Sequence, residues 1–181
     1  GGASTGSVIG PTKINNVIGI AKAYTTRVGS GPLPTELPEI EGNALREKGK
    51  EFGATTGRPR RCGWFDTVVV KYACEADGIN ELVVTKLDVL DDLATIKICT
   101  GYMHEGKLLK FFPADLDILT EAQPVYEEMP GWQSVTTGAK KFEELPANAQ
   151  KYIQRLEELV GVPVTLVSVG AERNQTISKA S

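Results

Sequence analysis

The chemically most pointed residues are Lys86 and Asp88, in Thr85-Lys86-Leu87-Asp88 at the end of a short apolar run over 81–85. Loops at the carboxyl ends of sheet strands are where α/β folds bind ligands. An aspartate there can accept two hydrogen bonds, from the N1–H and the exocyclic amine of guanine, while a lysine two residues earlier lays its stem along the base. Adenine presents neither donor in that arrangement and would leave the carboxylate unpaired. The same tetrapeptide also suits a surface lysine and a helix-capping aspartate. Ser168-Val169-Gly170, after the last apolar stretch, adds weight to the guanine reading. A turn of this kind offers backbone N–H groups to an acceptor such as guanine O6.

A second constellation runs from Gly53 to Arg61. Gly53 and Gly57 free the backbone, Thr55 and Thr56 carry hydroxyls, and Arg58, Arg60 and Arg61 crowd four positions. Arginine forks pair bidentately with carboxylates and phosphates, so the segment reads as a small-anion site or a solvated loop. Nucleic acid is the weaker option, because phosphate tracking needs a stripe of charge. The loop over 25–34 either wraps a ligand or joins two helices. Gly101, Gly106 and Lys107 nearly spell a phosphate-binding loop, but Leu108 stands where a magnesium-ligating Ser or Thr belongs, and a strand follows. A hairpin turn is expected there, with His104 as a surface residue without a role. Asn174-Gln175-Thr176 fits a glycosylation sequon, with nothing else pointing to secretion.

The elements that must position these residues follow from pattern. Helices are expected over 16–24, over 36–52 with Thr35 as N-cap, and from 64 or 66 to 76 with Gly78 as its stop. Val68-Val69-Val70 leaves a strand open in that last segment. Strands are expected at 81–85, 96–102, 107–112 and 123–128, the middle two as a hairpin. Ala149, Tyr152, Ile153, Leu156, Leu159 and Val160 fall at helical spacing between Pro146 and Gly161, and 162–167 is an apolar strand. A helix feeding a buried strand marks an α/β fold, with a mostly parallel sheet, flanking helices and a β-hairpin excursion.

Composition bounds the rest. The chain has 181 residues, 20 basic and 23 acidic side chains, a net charge of −3, and 41% hydrophobic residues. That length suits one domain, and the charge excludes a generally basic nucleic-acid binder. No apolar run reaches the ~18 residues of a membrane span, and no signal peptide is expected. Cys62, Cys74 and Cys99 are odd in number and match no zinc spacing, as expected of a reduced, cytoplasmic protein. Residue 1 is Gly and the first methionine is Met103, so the chain is expected to begin inside a longer protein or after a tag.

Several blocks together resemble adenylosuccinate synthetase. They are residues 23–32 with Pro34-Thr35-Glu36, residues 51–58 with Arg60 to Trp64, residues 85–90, Pro130-Gly131-Trp132 and Ser168-Val169-Gly170, in the family's order across nearly the whole chain. The resemblance implies GTP-dependent joining of IMP and L-aspartate through 6-phosphoryl-IMP, with Mg²⁺. It implies aspartate binding by Gly53, Ala54, Thr55, Thr56, Gly57 and Arg58, and IMP binding by Val28 and Arg58. It implies GTP binding by Arg60, Lys86, Leu87, Asp88, Ser168, Val169 and Gly170, with Arg60 also within reach of aspartate. The family's glycine-rich phosphate loop, catalytic aspartate and catalytic histidine do not occur here. The expectation is therefore the C-terminal portion of a larger P-loop-type enzyme domain, inactive alone, with the Mg²⁺ ligands elsewhere and a homodimer as the whole enzyme. Pro59 departs from the arginine or lysine of other members. A non-catalytic guanine-nucleotide module is the alternative.

Overall fold

The computed structural model describes residues 2–179; Gly1, with which the sequence begins, lies outside them. In chain order the elements are α1 (Gly2–Ser7), β1 (Ile18–Lys22), β2 (Thr25–Arg27), α2 (Glu39–Gly49), β3 (Arg61–Gly63), β4 (Phe65–Asp66), α3 (Thr67–Asp77) and β5 (Glu81–Thr85). There follow β6 (Thr95–His104), β7 (Lys107–Leu109), α4 (Leu116–Glu121), β8 (Gln123–Pro130), α5 (Ala147–Val160), β9 (Val164–Ser168) and β10 (Thr176–Ser178). The central sheet has the order β1-β5-β9-β10. β1, β5 and β9 are parallel, and β10 closes the edge antiparallel to β9. This is the mostly parallel sheet with flanking helices that the sequence implies.

α5 shows why the periodic segments fold as they do. Ala149, Tyr152, Ile153, Leu156 and Val160 are all buried on one face, each large side chain contributing about 1.5–3 kcal/mol. Gly161, at φ 79°, ends the helix in the left-handed conformation. The choice left open at Val68-Val69-Val70 is settled as helix by caps. The Asp66 carboxylate accepts from the amides of Val68 and Val69, and Gly78 takes the left-handed stop. These ends outweigh the weak β preference of three valines.

Two expected helices differ. The helix expected over 16–24 is absent, and Ile18–Lys22 within it form strand: Ile18, Gly19, Ile20 and Ala21 pair with the consecutive residues 81–84 of β5. That partner is far away in sequence and invisible to local periodicity. The helix expected over 36–52 is shorter, Glu39–Gly49, with Pro38 rather than Thr35 at its N-cap. Leu37, before a proline, is sterically steered away from the helical region, and Lys50 stops the far end at φ 50°. Thr35 is instead buried, its hydroxyl without a partner.

The hairpin at 101–108 is confirmed. Met103 pairs with Leu108 across Glu105 and Gly106, both at positive φ. Gly101 and Lys107 sit on strands. The hairpin belongs to a second sheet: β8 runs along one side of β6, and β4 and β7 share the other. The three cysteines are buried and unpaired.

Candidate functional site

The parallel strands β1, β5 and β9 all end at one edge of the central sheet. Lys22 pairs with Thr85, and Val84 with Val167. Lys86 to Asp88 and Ser168 to Gly170 therefore emerge side by side, and the 87–90 turn packs against β9. The two segments singled out for guanine lie together at strand ends, as ligand crevices in α/β sheets do.

The 86–91 turn is pinned at both ends. At its start Lys86 stands at φ 61°, a conformation L side chains rarely adopt. Its ammonium is anchored on the Gly49 carbonyl at 2.6 Å and on Glu51 Oε1 at 2.9 Å, which fixes the course of its stem. At its far end the buried Asp91 accepts from Trp132 Nε1 at 2.7 Å, from the Thr136 amide at 2.8 Å and from the Thr136 hydroxyl at 2.9 Å. The Pro130-Gly131-Trp132 block is thus structural. A Cβ on Gly131 would meet the Leu93 carbonyl at 1.8 Å, so only glycine lets Trp132 reach Asp91.

Between these anchors Asp88 is half-buried. Burial pushes its carboxyl up, and the nearby Asp91 charge adds to the rise. Donors that reach it stabilise the ionised form. Leu87 is wholly buried and Val169 likewise, so neither offers a side chain to a ligand. The Val169 amide is bonded to the Gln175 carbonyl at 2.8 Å, and the Ser168 hydroxyl donates to the Gly170 carbonyl at 2.8 Å. Of the Ser168–Gly170 turn, the Gly170 amide is the N–H without a backbone partner among the described residues.

The three arginines, expected as a small-anion site or a solvated loop, go separate ways. Arg58 is exposed and forms no ion pair with any described residue. Arg60 Nη1 donates to Glu51 Oε2 at 2.9 Å. Arg61 grips Glu36 with a bidentate fork and donates to the carbonyls of Gly29 at 3.1 Å and Gly31 at 2.5 Å. It is a clamp on the 27–34 loop, whose Val28 is 67% exposed. The Gly53–Arg58 loop closes on itself. The Gly53 amide donates to the Arg58 carbonyl and the Gly57 amide to the Gly53 carbonyl, both at 2.9 Å, while Phe52 bridges to Pro59. Ala54, Thr55, Thr56 and Gly57 are exposed beside Arg58.

Sequence reasoning assigned no role to Glu51, which is wholly buried and takes donors from Lys22, Tyr24, Arg60 and Lys86. Burial alone would raise its carboxyl; hydrogen bonds from Lys22, Tyr24 and Lys86 outweigh that and hold it down at about 2. Its only local signal is an acid next to Phe52-Gly53. Gln175 was missed too: its carbonyl fixes the Val169 amide and its side chain lies against Gly170.

Among the described residues, no three His, Cys, Asp or Glu side chains converge as a cation cradle. No helix among them is long and apolar enough to cross a membrane. His104 bonds Glu121 at 3.1 Å.

The adenylosuccinate synthetase family model matches residues 1–177. The chain is similar to adenylosuccinate synthetase of Geotalea daltonii, 60% identical over 177 residues, which are 98% of this chain and 41% of that protein. The Moorella thermoacetica enzyme is 56% identical and covered to 42%. The chain thus spans about two fifths of the length of these relatives. The structure described as fully ligated adenylosuccinate synthetase from Plasmodium falciparum superposes with a TM-score of 0.95 at 41% identity, over 99% of this chain and 43% of that one. A family model matched over nearly every residue, a shared fold and relatives of one name place the chain in the adenylosuccinate synthetase family.

Proposed function

We propose that this chain is the C-terminal portion of a cytoplasmic, homodimeric enzyme that joins IMP and L-aspartate at the expense of GTP, and that it supplies the guanine pocket and the aspartate loop. The observation that carries this is the side-by-side exit of the Lys86–Asp88 and Ser168–Gly170 segments from parallel neighbours β5 and β9. Asp88 accepts the N1–H and exocyclic amine of guanine, the Gly170 amide donates to O6, and the Lys86 stem lies along the ring.

The γ-phosphoryl group of GTP passes to O6 of IMP, its bond to the β-phosphate oxygen breaking so that GDP leaves. The aspartate amine then attacks C6, and the C6–O6 bond breaks to release phosphate. Mg²⁺, whose ligands would come from outside the described residues, would supply neutralisation of phosphate charge. The residues of this chain bind and orient. Thr55, Thr56 and Arg58 hold the aspartate carboxylates, with Gly53, Ala54 and Gly57 giving the loop its backbone shape. Val28 lies against the IMP ribose, with Arg58 also in reach of IMP. Arg60 faces aspartate or GTP. Fixed cations in a closed site do more than the same charges in water, and loop closure keeps water from the phosphorylated intermediate.

The test is product formation by a full-length protein that joins this chain to the preceding segment of the Geotalea daltonii relative. Adenylosuccinate should form only when GTP, IMP and aspartate are all present. GDP binding without any product would instead support the non-catalytic module.

A further inference from the structure

Glu51 stands where two functional segments meet. It follows the left-handed stop at Lys50, and its amide returns to the Arg46 carbonyl at 2.9 Å. Two residues later Gly53 opens the arginine loop. Its carboxylate is filled by four donors, two on each oxygen. Oε1 takes the Tyr24 hydroxyl at 2.6 Å and Lys86 Nζ at 2.9 Å. Oε2 takes Lys22 Nζ at 2.7 Å and Arg60 Nη1 at 2.9 Å.

Three cations thus meet one anion, and without it they face one another. Lys22 shows the tension: burial lowers its ammonium, the Lys86 and Arg60 charges lower it further, and the Glu51 carboxylate holds it up. A Cβ on Gly49 would fall 2.3 Å from the Tyr24 hydroxyl, so the backbone is shaped to admit this contact. The left-handed backbone of Lys86 needs an outside anchor, and both of its anchors, the Gly49 carbonyl and Glu51, lie at the root of the arginine loop. The other root of that loop is tied to the same residue, because the Arg60 amide donates to the Glu51 carbonyl at 2.9 Å.

We propose that Glu51 is a positioning residue that makes the 86–90 turn and the 53–60 loop one mechanical unit, so that guanine reading and aspartate binding are coupled through it. The coupling rests on the assignments made under the proposed function; the mechanical link itself does not.

The test is amide hydrogen exchange on the full-length protein with wild type, Glu51→Gln, the milder Tyr24→Phe, and Lys97→Ala, which breaks an exposed pair with Glu128. Glu51→Gln should speed exchange about tenfold in both 53–60 and 86–90, leaving α5 and β9 protected. Tyr24→Phe should show the same pattern more weakly, and decides the matter if Glu51→Gln does not fold. Lys97→Ala should change neither segment. In turnover, Glu51→Gln should raise KM for aspartate and for GTP together by about tenfold. Acceleration in only one segment, or spread evenly through β5, β9 and α5, would overturn the coupling and leave Glu51 a stabilising carboxylate. A wild-type protein that makes no adenylosuccinate would sink the assigned function, while the exchange pattern would still decide the mechanical link.

Discussion

Trp132 donates its indole N–H to the Asp91 carboxylate at 2.7 Å across 41 residues of chain, and so ties the end of the second sheet to the 86–91 turn. Asp91 is buried with three donors on it. Asp91→Ala orphans all three, and a buried group left unpaired costs about 1–3 kcal/mol. The variant should unfold at a clearly lower denaturant concentration than wild type. Its GDP affinity should fall as well, because the turn loses one of its two anchors. Unchanged stability would mean the three bonds are replaceable by water.

Arg58 makes no ion pair within the described residues, so its removal should spare the fold. Arg58→Leu should raise KM for aspartate about 10- to 100-fold, the worth of a charge-assisted hydrogen bond, with an unchanged melting temperature. An unaltered aspartate dependence would remove Arg58 from that site.

Arg61→Lys keeps the charge and loses the fork. Lysine cannot hold Glu36 bidentately and also reach the carbonyls of Gly29 and Gly31. The 27–34 loop should become more protease-sensitive. KM for IMP should rise severalfold with KM for GTP unchanged, since Val28 sits on that loop and Asp88 does not. A shift in GTP instead would contradict the division of labour between the loops.

The Glu51 carboxyl is held at about 2, below the 4.5 of a free glutamate. A folded-state value below the unfolded one stabilises the protein above the unfolded value, and the contribution is lost as pH falls towards the folded value. The stability gap between wild type and Glu51→Gln should therefore be full at neutral pH and shrink between pH 4.5 and 2. Denaturation midpoints across that range check it; a gap independent of pH would show that Glu51 is not ionised in the fold.

Much of this was legible in the sequence because it was local. α5 carries its periodicity and its glycine stop, α3 its Asp66 and Gly78 caps, and the 105–106 hairpin its turn. What was not legible depended on distant partners. Ile18 to Lys22 become strand only because β5 accepts them. Thr35 resembles a cap until Pro38 displaces the helix start. Arg58, Arg60 and Arg61 look equivalent along the chain and are separated only by the carboxylates that fold against Arg60 and Arg61 and not against Arg58. Glu51 and Asp91 were unremarked for the same reason, since their donors arrive from up to 45 residues away.

The central claim is that the Asp88 carboxylate selects guanine, and calorimetric titration of GDP and ADP into the full-length protein tests it most directly. Wild type should bind GDP and not ADP, and Asp88→Asn should lose about 10- to 100-fold in GDP affinity, the worth of hydrogen bonds to a charged acceptor. Because burial raises the Asp88 carboxyl above the ordinary 3.8, wild-type GDP binding should also weaken on acidification before an ordinary aspartate would protonate. Equal binding of the two nucleotides, or GDP binding indifferent to Asp88→Asn, would contradict the account.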